Sequence, residues 1–205
     1  RKAQRERVER AIRYDSPYVA PTFAVGETMV SPSGLRLETA VSPSAASPEA
    51  HGTVWAATAP IAGVPLTHWR RDAGVIRPDD VYRIVGQLLD AVQAIHREGG
   101  VHGSLSPETV RVVQEHAWVT SPWWLEPADV PPGEVQPLRT AWMAPELLFG
   151  EHAESAATDV YGIGLALGYL LACGLTEPGH SLLVQGIDVP PAVDDVYVRA
   201  TARQK

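Results

Sequence analysis

The chain has 205 residues, of which 45% are hydrophobic and 20% are charged. These proportions are typical of a folded globular domain and exclude an intrinsically disordered chain. The formal net charge of -7 argues against a nucleic-acid-binding protein and against direct binding to an anionic membrane, because both need clustered Lys and Arg.

Lysine is absent from the interior of the sequence. Among 17 Lys and Arg residues, the only lysines are Lys2 and Lys205, which lie at the two ends. No interior lysine is therefore available for a Schiff base, for general-base catalysis or for pairing with a phosphate. A GC-rich genome, which favours Arg codons, is the simpler explanation of the bias itself.

The single cysteine, Cys173, excludes an intrachain disulfide and a cysteine-based zinc site. It lies in an apolar helical run, so we expect a buried and inert thiol. The charged N-terminus lacks the apolar core of a signal peptide, and the apolar run 160–175 is too short to span a bilayer. We therefore expect a cytoplasmic protein, or the cytoplasmic part of a longer membrane protein, with no direct membrane insertion in this chain.

The first third of the chain predicts one helix followed by strands. Charged and apolar residues alternate with helical spacing over 3–14, and the Asp-Ser-Pro sequence at 15–17 ends that helix. Residues 18–41 read as a hairpin whose second strand is 35–41. A surface loop is expected over 42–51, and a third strand over 53–59.

The remainder predicts mainly helices. A short helix is expected over 66–73, and a long amphipathic helix starts after Arg77 and ends at the two glycines 99 and 100. The apolar face of the long helix comprises Val81, Ile84, Val85, Leu88, Leu89, Val92 and Ile95. The later predicted elements are strands 110–113 and 117–120, a Pro-rich segment 121–141, and helices near 146–149, 157–174 and 191–203. The whole pattern indicates an α+β protein with a boundary near residues 60–63.

Four segments resemble landmarks of the eukaryotic-type Ser/Thr protein kinase-like family. Residues 96–109 are similar to the end of a helix followed by the His-Arg-Asp-Leu-x-x-x-Asn catalytic loop. Residues 61–66 resemble the hinge, and residues 141–148, Ala-Trp-Met-Ala-Pro-Glu-Leu-Leu, resemble the Ala-Pro-Glu motif. Residues 158–164 match the start of the helix that follows. The chain thus resembles a degenerate, pseudokinase member of this family, of the kind found in bacteria.

The resemblance implies a two-lobed fold with a truncated N-lobe. Residues 1–60 would form the partial N-lobe, in which the first helix matches the family's helix αC and Glu6 its glutamate. Residues 61–205 would form the helical C-lobe, which ends before the family's last helix. The glycine-rich loop and the strand lysine of the family would precede Glu6, and we expect a piece trimmed at both ends.

The residues that differ from the family's pattern are those that carry its chemistry. Ser104 replaces the catalytic aspartate, Thr109 replaces a metal-binding asparagine, and Ser121 lies where a metal-binding aspartate is expected. Gly103 replaces the arginine that binds a phosphorylated activation segment. The resemblance therefore implies no catalytic residue, no cofactor, no metal and no nucleotide binding.

Other residues of the pattern have architectural roles in the family. Asp159 is expected to accept N–H bonds from the backbone around His102 and Gly103, and His102 is expected to pack inside the C-lobe. An acid at a helix N-terminus is an equally simple explanation of Asp159. Glu146 is expected to pair with a late arginine, which we place beyond Lys205.

Trp123 and Trp124 form a candidate partner surface, because Trp is enriched at interaction hot spots. Packing of a shortened segment against the C-lobe is the alternative, and the general burial of aromatic side chains favours it. The three glycines at 162, 164 and 168 lie within an apolar helix and indicate helix packing rather than a phosphate-binding loop.

The sequence predicts a catalytically inactive pseudokinase that acts as a regulatory or scaffolding module and binds protein partners, not nucleic acid. The alternative is an atypical nucleotide-dependent transferase, which is either an atypical kinase that uses Asp129 and Glu108 or a kinase fold repurposed for another nucleotidyl transfer. A third interpretation is a regulatory or sensor domain within a longer protein, and the flanking sequence would separate it from the other two.

Overall fold

A computed structural model describes residues 6, 9–30, 36–39, 51–120, 141–149 and 154–203. Within these ranges, residues 6 and 9–11 are helical. The strands are β1 (Thr22–Val30), β2 (Arg36–Thr39), β3 (His51–Thr58), β4 (Val64–Pro65), β5 (Val110–Val113) and β6 (His116–Val119). The further helices are α1 (Leu66–Asp72), α2 (Pro78–Arg97), α3 (Pro145–Leu148), α4 (Ala156–Ala172) and α5 (Pro191–Ala200).

The first sheet is antiparallel and has the strand order β2-β1-β3. Strand β1 pairs with β2 from Val30 opposite Arg36, which confirms the predicted hairpin. The other edge of β1 pairs with β3 along its length, with a register irregularity between Thr22 and Ala24. The strand predicted over 53–59 is thus confirmed as β3, whereas residues 42–50 of the predicted loop lie outside the described residues.

The second sheet has the order β4-β5-β6. Strand β4 follows the first sheet in the chain, whereas β5 and β6 follow the long helix α2. Val64 lies opposite Val112, and Pro65 lies opposite Arg111. Strand β4 was not predicted from the sequence, because two residues are too few to show alternation. Pro65 is tolerated there because β4 is an edge strand and one side of it needs no donor.

The segment after the N-terminal helix is attached to the edge of β6. The backbone of Val119 donates to the carbonyl of Tyr18 at 2.8 Å and accepts from the N–H of Ala20 at 3.0 Å. The side chain of Arg10 donates to the carbonyl of Gly99 at 2.7 Å, at the end of α2. These contacts fix the N-terminal helical residues against the larger, helical part of the protein.

Helix α2 follows the predicted periodicity. Pro78 occupies its first turn with Asp79 and Asp80, which favours the helix start electrostatically. The prediction that Leu89 belongs to the apolar face is wrong, since Leu89 is 50% exposed. A step of about 100° per residue carries Leu89 away from Leu88 and towards solvent. The buried stripe consists of Val81, Ile84, Leu88, Ala91, Val92, Ala94 and Ile95.

Helix α4 is the central helix of the larger part and is apolar on most of its surface. A Cβ atom at Gly164 would lie 2.9 Å from Cβ of Ala200, and one at Gly168 would lie 2.7 Å from Cε2 of Tyr197. Both positions let α5 approach α4 closely. The prediction that the glycines of this helix serve packing is therefore confirmed.

The prediction of a buried Cys173 is wrong. Helix α4 ends at Ala172, and Cys173 is its C-cap with φ 57° and ψ 32°. The left-handed backbone at this position turns the chain out of the helix, and the thiol is exposed. The apolar sequence around it predicts burial only if the helix continues, which it does not.

The main core lies between α2, α4 and the β5-β6 pair. Its fully buried members include Ile84, Leu88, Val110 and Leu170, and Tyr197 of α5 closes it on one side. A smaller cluster of Trp142, Ala144, Tyr161 and Leu165 lies beside α3. No helix within the described ranges is both long and apolar enough to cross a bilayer.

Candidate functional site

The carboxylate of Asp159 is the centre of the candidate site, and it is completely buried. It lies in the first turn of α4 and faces the loop 101–109. Its Oδ2 accepts the N–H of His102 at 2.8 Å, and its Oδ1 accepts the N–H of Gly103 at 2.7 Å. A buried carboxylate that accepts hydrogen bonds on both oxygens holds the two donors at a fixed separation. The loop therefore starts in a single geometry.

A third group, which was not predicted from the sequence, binds the same carboxylate. Nε2 of His96 lies 2.8 Å from Oδ2 of Asp159. His96 lies in the last turn of α2, so the contact joins α2, α4 and the loop at one point. The signal available in the sequence was a histidine three residues before the Gly-Gly helix stop, which does not reveal a partner 63 positions away.

His102 packs inside the protein and has no exposed surface. Its Nδ1 accepts the N–H of Ser104 at 3.3 Å, so the side chain turns back onto its own loop. Gly103 between them has φ +76°, a backbone conformation in which glycine carries no steric cost. The histidine and the glycine together shape the tight turn that presents Ser104.

Thr109 closes the other end of the loop. Its Oγ1 accepts the N–H of Ser106 at 2.9 Å and lies 3.0 Å from the carbonyl oxygen of Ser106, to which it donates. The N–H of Thr109 also donates to that carbonyl at 3.0 Å. Both the donor and an acceptor position of the hydroxyl are thus used within the loop. The threonine shapes the backbone and does not present a carboxylate or amide oxygen to a cation.

The loop rests directly on helix α4. A Cβ atom at Gly162 would lie 2.7 Å from the carbonyl oxygen of Leu105, which is closer than real Cβ contacts. The side chain of Leu105 is buried in the main core beneath the loop. Glycine at 162 therefore allows the loop backbone to approach the helix, and the loop is supported from below as well as at both ends.

Polar side chains around the loop do not converge on an open point. The carboxylate of Glu108 accepts a hydrogen bond from Oγ1 of Thr67 at 2.7 Å, at the exposed start of α1. Among the residues that the structure describes, no group of three or more His, Cys, Asp and Glu side chains is placed to hold a metal ion. Asp129, the other residue considered for an atypical transferase, lies outside the described residues.

Glu146 lies apart from the loop, at the start of α3, and is 3% exposed. Its Oε2 has no hydrogen-bond partner within the described part of the chain. It lines a cavity of about 370 Å³ together with Tyr161, Val160, Arg199 and Arg203. The expected pairing of Glu146 with an arginine beyond Lys205 stays a prediction, because the structure places no such residue.

Comparisons with known proteins identify the fold. No protein-family model matches the chain. One curated relative, named "Putative cyclin-dependent kinase F-2", comes from Oryza sativa subsp. japonica and is 32% identical over 107 residues. That match covers 50% of this chain and 32% of the relative, so the matched region spans about a third of the rice protein.

Two solved structures of the Mycobacterium tuberculosis PknI kinase domain are similar over 99% of this chain and 70% of theirs. A mutant of that domain gives a TM-score of 0.67 at 19% identity, and a second structure gives 0.64 at 20% identity. The chain has a protein-kinase-like fold. This result confirms the predicted fold class, a two-lobed α+β fold with a small antiparallel sheet and a mainly helical larger part.

Within the kinase-like fold, four of the sequence-predicted site residues lie in one region. His102, Ser104 and Thr109 lie in the loop 101–109, and Asp159 binds its start. Glu146 lies elsewhere, beside Tyr161. Their roles stay predictions, since likeness in fold does not assign chemistry to a residue.

The three remaining predicted site residues, Ser121, Trp123 and Trp124, lie outside the described residues. Trp142 of the same aromatic group is described and is nearly buried, with its ring 5.5 Å from that of Tyr169 in an edge-on arrangement. Trp118 is half-buried beside His116. These two neighbours pack within the kinase-like fold, whereas the partner-surface hypothesis for Trp123 and Trp124 stays a prediction.

Tyr161 provides a measurable probe of the region around Glu146. Burial, and then the nearby Tyr197 and Glu146, raise the pKa of the Tyr161 hydroxyl from 10.0 to about 12. Because the pKa is higher in the folded state, the associated stability is present below pH 10 and is lost as the pH rises towards 12. Between pH 10 and pH 12, the free energy of unfolding of the wild type is expected to fall by about 2 kcal/mol more than that of Tyr161→Phe.

Denaturant unfolding at a series of pH values from about 9 to about 12 would test this expectation. Tyr169, whose pKa burial also raises, remains in both proteins and so cancels in the difference. Parallel stability profiles for wild type and Tyr161→Phe would contradict the buried position of this hydroxyl.

Proposed function

We propose that the chain is a catalytically inactive pseudokinase that acts as a regulatory or scaffolding protein-binding module. The observation that carries the proposal is the state of the loop 101–109. Its backbone is held by Asp159 at one end and by Thr109 at the other. Phosphoryl transfer uses an aspartate and an asparagine in this loop, and Ser104 and Thr109 lack both the carboxylate and the amide. The loop is built as a fixed turn without its reactive side chains.

The physical reason lies in the demands of phosphoryl transfer. The reaction depends on positioning and on neutralising the phosphate charge, through metal ions and cationic side chains. A serine hydroxyl at 104 is a far weaker proton acceptor than a carboxylate at neutral pH. No lysine lies between Lys2 and Lys205 to neutralise a phosphate. We therefore propose that nucleotide binding and cofactor use are absent.

We also propose a division of the fold into two lobes at residue 60. The sheet β2-β1-β3 would belong to the partial N-lobe of residues 1–60, and the segment 61–205 would form the C-lobe. The division is supported by the strand pairing, because β1, β2 and β3 pair with one another and β4 pairs with β5. The proposed placement of the protein is the cytoplasm, either alone or as part of a longer membrane protein.

A phosphotransfer assay tests the central part of this proposal. Purified chain incubated with radiolabelled ATP and Mg²⁺ or Mn²⁺ is expected to transfer no label to itself or to generic Ser/Thr peptides. Ser104→Ala is expected to give the same background, because the hydroxyl has no catalytic role. Label that rises with enzyme concentration in wild type and falls in Ser104→Ala would contradict the proposal and favour the atypical transferase.

A further inference from the structure

The exposed apolar side chains coincide with a stretch of sequence that has no cations. From residue 140 to residue 198 the chain contains no Lys and no Arg. Most of the large apolar side chains that are exposed among the described residues lie in this stretch. They are Leu148, Phe149, Val160, Leu175, Leu183, Val184 and Val196.

The largest exposure in this stretch is on the segment between α4 and α5, which we call the 175–188 surface. Val184 is 86% exposed, Leu175 is 63% exposed and Leu183 is 43% exposed. The acidic side chains of Glu177 and Asp188 belong to the same segment and are exposed. The surface therefore combines protruding apolar groups with negative charge.

The backbone that carries Leu183 and Val184 is braced from α5. The carboxylate of Asp194 accepts the N–H of Leu182 at 2.6 Å and the hydroxyl of Ser181 at 2.8 Å. It also accepts the N–H of Leu183 at 3.4 Å. Leu182 itself is fully buried and anchors the segment in the core.

A second brace holds the segment to the residues that precede it. The side-chain oxygen of Gln185 accepts the N–H of Glu177 at 2.7 Å, and its amide nitrogen donates to the carbonyls of Glu177 at 3.2 Å and His180 at 3.0 Å. The exposed side chains are thus presented on a preorganised backbone. A preorganised surface loses less conformational entropy when a partner binds.

The charge of the surface indicates which kind of binding partner it fits: a membrane, a second copy of the chain or another protein. An anionic membrane would be repelled by Glu177 and Asp188, since no cation of this stretch offsets them. A second copy of the chain would place the same acidic groups against each other across a symmetric contact. A partner that carries Lys or Arg around an apolar face is complementary in both respects.

We propose that the 175–188 surface binds a basic amphipathic segment of a partner protein. The apolar side chains of that segment cover Leu183 and Val184, and its cations lie against Glu177 and Asp188. The inference rests on the proposed function as a protein-binding module and names the chemistry of the partner.

Fluorescence anisotropy with defined peptides tests the inference. The main probe is a labelled Leu/Lys peptide of about 18 residues, which is about five turns of an amphipathic helix. A peptide of the same composition with scrambled order, and an amphipathic Leu/Glu peptide, are the controls. We expect the Leu/Lys helix to bind at least about tenfold more tightly than either control, and its affinity to fall as salt rises.

Paired variants of the full chain locate the binding. The double variant Leu183→Ser with Val184→Ser is expected to weaken binding of the Leu/Lys helix by about tenfold or more. Its matched control is Val75→Ser, since Val75 is 98% exposed and lies between α1 and α2. Glu177→Gln with Asp188→Asn is expected to weaken binding several-fold and to flatten its salt dependence, whereas Asp90→Asn on α2 is expected to have no effect.

Several results would overturn the inference. Equal binding of the scrambled peptide would show charge attraction alone, and unchanged binding by the Leu183/Val184 double variant would place the site elsewhere. If the wild type forms a dimer and that variant alone does not, the surface binds a second copy of the chain. If the wild type binds vesicles of neutral and anionic phospholipid and that variant alone does not, the surface binds a membrane. Peptide binding and phosphotransfer are separate readouts, so failure of the surface leaves the inactivity proposal standing.

Discussion

Asp159→Ala is expected to lower the free energy of unfolding by about 3 to 5 kcal/mol, the largest effect of any substitution considered for this protein. The substitution removes a fully buried carboxylate that is the acceptor of two backbone N–H groups and the partner of His96. The midpoint of thermal unfolding should fall by about 10 °C. Circular dichroism melts and urea titrations would measure both quantities.

Asp159→Asn separates two explanations of the same residue. An amide has one acceptor oxygen, and its NH₂ group would face a backbone donor, so a loss of more than about 2 kcal/mol is expected. If Asp159 acted only as an acid at a helix N-terminus, the cost would be about 1 kcal/mol or less. Asp90→Ala, an exposed acid on α2, is the control and should change stability by less than about 0.5 kcal/mol.

Gly162→Ala is expected to destabilise the protein by about 2 kcal/mol, although alanine is the better helix former. The new methyl group would lie 2.7 Å from the carbonyl oxygen of Leu105. This neighbour is backbone and cannot rotate away, so the loop 101–109 must move off α4. The substitution should therefore also raise amide hydrogen exchange in the loop, at Gly103 and Leu105.

Gly86→Ala supplies the matched control within α2. A Cβ atom at Gly86 would meet nothing within 4 Å, so the substitution gains helix propensity without a clash. We expect it to stabilise the protein by about 0.5 to 1 kcal/mol. The two glycine substitutions thus have opposite signs, and a gain in stability for Gly162→Ala would contradict the close approach of loop and helix.

The helical part of the fold was predictable because its periodicity is local. The spacing of Val81, Ile84 and Leu88 defines the buried face of α2, and the glycines of α4 indicate close packing. The exposure of Leu89 was not predictable from the same pattern, since an apolar residue at the border of a helical face fits either side. Cys173 illustrates a second limit, because one left-handed residue ended a helix that its apolar sequence would continue.

Contacts between distant positions were predictable only where a motif connects them. The hydrogen bonds from His102 and Gly103 to Asp159 were expected from two motifs that occur together in the resemblance. His96 was not assigned to the same carboxylate, because a single histidine in a helix end carries no sign of its partner. Strand β4 was missed for a related reason, since only its pairing with β5 distinguishes it from a loop.

The central claim is that the kinase-like architecture is retained without nucleotide-dependent chemistry. The most direct measurement is the thermal unfolding midpoint with and without Mg²⁺ and ATP at millimolar concentration. A ligand at 100 times its dissociation constant stabilises a folded protein by about 2.7 kcal/mol, which is several degrees for a chain of this size. The proposal predicts a shift below about 1 °C, within the error of such melts. A reproducible shift of several degrees that requires both Mg²⁺ and ATP would contradict it.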